Sequence, residues 1–139
     1  MRKVSGFFGL AVSFILLLCL ASPVAAQQSQ VEAEIVIAHE VVDREPVEPA
    51  DTFPADVGEV AAWTRITAAA GTTIEHVWRY QGEAWEVPLQ VDGSPWRTWS
   101  TKVIPREWEG EWTFDVEDAD GNVVASETFF VGSPPFDAR

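Results

Sequence analysis

From residue 31 onward, apolar and polar residues alternate with a period of two, and the alternation is broken at short intervals by Gly, Pro and acidic residues. That period belongs to strands, because successive side chains on an extended backbone point to opposite faces. The pattern predicts strands over 31–42, 59–68, 72–80, 83–91, 96–104, 111–118 and 123–131. Between them lie Gln81-Gly82, Asp92-Gly93-Ser94-Pro95 and Ala119-Asp120-Gly121-Asn122. The Asp-Gly pair in the last of these is a strong hairpin signal. Residues 43–58 carry Pro46, Pro49 and Pro54 among acidic side chains and read as a long loop. About seven strands at this spacing, with no sustained helical period, predict an all-β fold. The expected architecture is an antiparallel, immunoglobulin-like two-sheet sandwich.

Alternation also assigns faces. Trp112, Phe114 and Val116 point one way, against Glu111, Thr113, Asp115 and Glu117. The apolar set is expected in the core, with Phe129 and Val131 facing it from the next strand. Ile74, His76, Trp78 and Tyr80 share a face, with Glu75, Val77 and Arg79 opposite. Trp85, Val87, Leu89 and Val91 form another apolar row.

The first 26 residues follow a different rule. Met1-Arg2-Lys3 is a short basic start, Val4 to Leu20 is apolar, and Val24-Ala25-Ala26 places small residues before a cleavage point. This order reads as a secretory signal peptide over 1–26. An uncleaved N-terminal anchor is the alternative. The expected mature chain then has a disordered leader over 27–30, the sandwich over 31–131 and a flexible tail over 132–139. Cys19 is the only cysteine and would leave with the signal, so no disulfide or thiolate site is expected. The implied location is periplasmic or extracellular, without stable membrane insertion after cleavage.

Charge narrows the partners. The 22 acidic residues outnumber the 9 Lys and Arg, for a net charge of −13. Removing Arg2 and Lys3 with the signal leaves Lys102 as the sole lysine. Such a surface repels nucleic acid and anionic lipid. The acids are spread out, as on a solvated surface, rather than blocked.

Four segments carry a family resemblance: Asp43 to Val47, Ala70 to Trp78, Trp96 to Lys102 and Gly110 to Phe114. Through them the chain resembles, over about Ala33 to Val131, a bacterial family known as domain of unknown function 2914. The resemblance implies a short β-rich domain, secreted or attached to membrane segments, and brings no established activity, substrate or cofactor. Members often carry an aromatic pair before the region of residues 64–66, where this chain has Ala61-Ala62-Trp63.

Candidate chemistry is sparse. His39 and His76 are the only histidines, and nothing in their spacing brings them together on a metal. His76 reads as a hydrogen-bonded strand histidine. Asp118, Asp120 and Asn122 have a calcium-like cadence, but Gly121 sits where a hairpin turn wants it. Ser100 and His76 lie on separate strands that can be neighbours, yet no Gly-x-Ser-x-Gly elbow accompanies them. Arg97, between Trp96 and Trp99, is expected to stack on indole and pair with Glu75, Asp115 or Glu117 as a cross-strand pin. The leading expectation is a non-catalytic module binding an unknown protein or envelope partner, with Trp96, Arg97, Trp99, Trp108 and His76 as candidate binding residues. No cofactor, metal or nucleic acid is expected. One alternative is a carbohydrate-binding module, with Trp96, Trp99 or Trp108 as platform and Arg97 or Glu107 as polar contacts. The other is a hydrolase using His76 and Ser100.

Overall fold

The computed structural model describes residues 30–133. The signal-peptide reading, all but Gln30 of the leader and residues 134–139 of the tail lie outside them. Nine strands form in chain order. They are β1 (Glu32–Val42), β2 (Glu45–Pro49), β3 (Thr52–Phe53), β4 (Gly58–Thr67), β5 (Thr72–Tyr80), β6 (Glu83–Val91), β7 (Trp96–Ile104), β8 (Gly110–Glu117) and β9 (Val123–Val131). Sheet A has the order β2-β1-β4-β7, and sheet B the order β3-β9-β8-β5-β6. All pairings are antiparallel except β3 with β9. Among the described residues no helix is long and apolar enough to cross a membrane.

The strand count corrects the expected seven. The two added strands fall in residues 43–58, expected to be a loop. Proline removes a ladder donor, so it is tolerated where one strand edge is free. Both added strands lie at sheet edges, with Pro46 and Pro49 in β2. β3 is held by Phe53, which is buried in the core beside Phe129. The backbone N–H of Gly132 donates to the Phe53 carbonyl at 2.8 Å, so the start of the expected tail is tied to this edge.

The turns follow their local chemistry. Gln81 and Gly82 both take positive φ, 45° and 80°, and close β5 onto β6 with Tyr80 opposite Glu83. At the β8–β9 turn the Asp118 carboxylate accepts the backbone N–H groups of Asp120 (3.0 Å) and Asn122 (2.9 Å). The Asn122 amide holds the Asp118 carboxyl below its usual pKa. These oxygens serve the turn, and the calcium-like cadence is hairpin chemistry.

The core lies between the sheets. Ile37, Val60, Ala62 and Ile66 from sheet A meet Ile74, Trp78, Trp112, Phe114, Val116, Phe129 and Val131 from sheet B. The faces expected for β5 and β8 are the faces found. Trp112 stacks on Tyr80 at 4.6 Å and on Phe129 at 6.0 Å. Its indole N–H donates to the Trp108 carbonyl at 3.2 Å. The Tyr80 hydroxyl donates to the Glu109 carbonyl at 2.8 Å, so both aromatic tips pin the segment between β7 and β8.

Trp112→Ala is expected to cost about 3–5 kcal/mol, because it empties a large aromatic site from a fully buried position. Urea unfolding measures the loss. A shift worth less than about 1 kcal/mol would place Trp112 outside the core.

Candidate functional site

Three buried inward-facing positions carry polar side chains: Thr64 on β4, His76 on β5 and Ser100 on β7. Buried polar groups need partners, and these supply one another. His76 Nδ1 lies 2.7 Å from Ser100 Oγ, and His76 Nε2 lies 3.0 Å from Thr64 Oγ1. Thr64 donates its hydroxyl proton to the Thr98 carbonyl at 2.9 Å, so it can only accept from the imidazole. Nε2 therefore carries the ring proton and Nδ1 accepts from the Ser100 hydroxyl. Ser100 Oγ in turn accepts the Trp78 indole N–H at 3.1 Å. The result is one directed relay, Trp78 to Ser100 to His76 to Thr64 to the Thr98 carbonyl, joining the two sheets.

This relay decides what His76 and Ser100 do chemically. They meet, as a hydrolytic pair requires. Yet His76 is fully buried, and burial lowers its pKa from 6.5 to about 3. So weak a base does not take a serine proton at neutral pH. The far ring nitrogen faces a threonine hydroxyl, not an orienting carboxylate. The geometry is that of a satisfied core histidine.

A second arrangement lies on the outer face of sheet A. The β1–β2 hairpin turns at Asp43 and Arg44, both with positive φ, and reaches back over β4 and β7. There the Arg44 carbonyl accepts the Trp63 indole N–H at 2.9 Å, and Glu45 pairs with Arg97. The cover buries Ala38, Ala61 and Trp63, although none of the three belongs to the inter-sheet core cluster. A cavity of about 440 Å³ is lined by Glu45, Trp63, Arg65, Pro95 and Arg97. Arg65 and Arg97 stand directly opposite each other in the β4–β7 register. Further along β7 on the same face, Trp99 and Val103 are 37% and 63% exposed, so this edge strand offers apolar surface to solvent.

The candidate binding residues do not converge. His76 is in the relay. Trp96 and Trp99 flank Arg97 in sequence but lie on opposite faces of β7, with Trp96 packed against the core and opposite Ile66. They therefore cannot form one stacking platform. Trp108 belongs to an aromatic cluster on the far side of Lys102. It is tilted 30° to Trp85 at 5.4 Å, and Lys102 Nζ sits over the Trp85 ring at 4.3 Å. Trp63, Arg65 and Glu45 escaped the sequence reading. Arg65 was legible as an outward position by alternation, whereas Glu45 reaches the site only because the hairpin folds back.

The partners expected for Arg97 are a second correction. Glu45, on another element of sheet A, holds Arg97. Asp115 and Glu117 instead hold Arg79, at 2.8 Å and 3.4 Å on the outer face of sheet B. None of Glu75, Asp115 and Glu117 reaches Arg97, because face parity alone does not say which sheet a strand joins. Asp115 also accepts the Ser126 hydroxyl at 2.6 Å. Nearby, the carboxylates of Glu75, Glu86 and Glu117 lie within 4.8 Å of one another, the one group of metal-ligand spacing among the described residues.

Residues 71–131 match the family described as "Protein of unknown function (DUF2914)". The resemblance read from the sequence holds over that span, which leaves out the Asp43 to Val47 segment. No curated protein matches the chain. Among solved structures, a selenomethionine-labelled β-glucosidase from Kluyveromyces marxianus is similar over 75% of this chain, at 9% identity and a TM-score of 0.35. The chain spans 14% of that enzyme's chain, and so weak a likeness bears on neither fold nor activity.

The relay makes stability depend on pH. The unfolded chain protonates His76 near pH 6.5, the folded chain only near 3. Between those values the unfolded state binds more protons, so stability is complete above 6.5 and falls as pH drops. From pH 7 to pH 5 the expected loss is about 2 kcal/mol, read by urea unfolding at both values. An imidazole resonance of His76 titrating between pH 5 and 7 in the folded protein would contradict it.

The two arginine pins should differ. Asp115→Ala is expected to cost about 1–3 kcal/mol, since it strips partners from Arg79 and Ser126 at a buried position. Glu45→Ala should cost under about 1 kcal/mol, because its pair with Arg97 is solvent-exposed. Paired denaturation curves test the order, and a larger loss for Glu45→Ala would reverse it.

Proposed function

We propose that this chain is an exported, non-catalytic binding module whose partner is a protein of the cell envelope. One observation carries the reading. The free edge strand β7 presents Trp99 and Val103 on the same outer face, 37% and 63% exposed, with Trp99 beside Trp63 of β4 on one side and open on the other. Exposed aromatic surface on a rigid strand is the usual anchor of a protein interface. The relay supports the non-catalytic half, because it commits His76 and Ser100 to structure. Export rests on the order of residues 1–26, and the immunoglobulin-like description rests on the strand spacing and the two packed sheets.

The test is affinity capture from the native envelope with the tagged mature protein and with a Trp99→Ser, Val103→Ser variant. Both positions are exposed, so the variant should keep its fold by circular dichroism. The expected result is a defined partner retained by the parent and lost by the variant. Equal capture by both would end the assignment to this face.

A further inference from the structure

We infer that the cavity beneath the β1–β2 hairpin turn is a binding site for a carboxylate-bearing small ligand, held between the Arg65 and Arg97 guanidiniums. The argument goes beyond the docking surface along β7 and starts from charge. Acidic residues outnumber basic ones 22 to 9 in this chain, yet two arginines face each other directly across β4 and β7. Like charges placed opposite on neighbouring strands destabilise the pairing. Salt and solvent weaken that cost at an exposed site, but a bridging anion converts it to attraction.

Glu45 answers only half of it. It pairs with Arg97, while Arg65 makes no ion pair within 4.0 Å among the described residues. Glu34 stands opposite Arg65 on β1, and both line a neighbouring cavity of about 310 Å³ together with Glu32. Those two glutamates temper the potential on the Arg65 side and favour a single negative charge over a multiply charged phosphate.

The cavity walls say what else the ligand carries. At about 440 Å³ the space exceeds a bare carboxylate, and the exposed Pro95, with a small part of the otherwise buried Trp63, gives it apolar wall. The indole N–H is already spent on the Arg44 carbonyl, so Trp63 contributes only its ring. A guanidinium pair next to apolar surface suits a ligand with one carboxylate and a compact body. An acidic sugar and an aromatic acid share that chemistry.

Isothermal titration with sodium glucuronate, sodium benzoate and neutral glucose tests the site on the mature protein. The expected result is saturable binding of at least one carboxylate and none of glucose. Which acid binds separates the sugar source from the aromatic one. Arg65→Gln should weaken that binding about tenfold or more, because a charge-assisted contact is lost. Arg65 is exposed, so the variant should fold, and an unchanged melting curve confirms it. The Trp99→Ser, Val103→Ser variant should bind the acid like the parent, which separates this site from the docking face. Binding of neither acid, or binding unaffected by Arg65→Gln, would overturn the inference.

Discussion

The structure depends on one buried hydrogen-bond relay. Trp78 and His76 come from sheet B, and Ser100, Thr64 and the Thr98 carbonyl from sheet A. Each hydroxyl donates once and accepts once, and no buried side-chain polar atom among the described residues lacks a partner. Apolar contacts between two sheets tolerate sliding, because hydrophobic attraction has no direction. A relay of fixed polarity does not, since a slip leaves several polar groups unpaired in an apolar core. The aromatic packing of Trp78 on Phe114 at 4.9 Å and of Trp112 on Tyr80 then forms around a fixed alignment.

That alignment also determines where charge and exposure fall. With inward positions filled by the core and the relay, the outer face of sheet A carries Arg65, Arg97 and Trp99. The outer face of sheet B carries Arg79 among Glu75, Glu86, Asp115 and Glu117. Three of the six described basic residues, Arg44, Arg65 and Arg97, thus lie on the outer face of sheet A or its hairpin turn, whereas Lys102 of β7 turns inward over Trp85. In an acidic molecule this unevenness gives one face a different electrostatic character from the rest. The hairpin turn adds depth, closing a cavity over a sheet face that would otherwise be flat.

Much of the fold was legible in the chain. Period-two alternation gave the seven long strands nearly to the residue, and the Gln-Gly and Asp-Gly turns gave their hairpins. It also gave the inward faces of β5 and β8, and it put His76 at a buried, hydrogen-bonded position. β2 and β3 escaped because proline argues against strand by local rules, whereas a free sheet edge removes the objection. Thr64 escaped as a relay partner because a threonine in a strand carries no mark of the residue it will meet.

The sequence by itself determined the class of fold, the identity of most core residues and the acidic character of the surface. These follow from local periodicity and composition, which need no knowledge of pairing. Tertiary structure alone decided which charged side chain meets which. Arg97 took Glu45 and Arg79 took Asp115 because sheet membership is fixed by the packing of distant strands. It also decided that the β1–β2 hairpin folds back over β4 and β7, creating the Arg65–Arg97 cavity from segments some 20 to 50 residues apart. Nothing local in a strand encodes such long-range closure, since it is settled by the burial and hydrogen bonding of the whole assembled molecule.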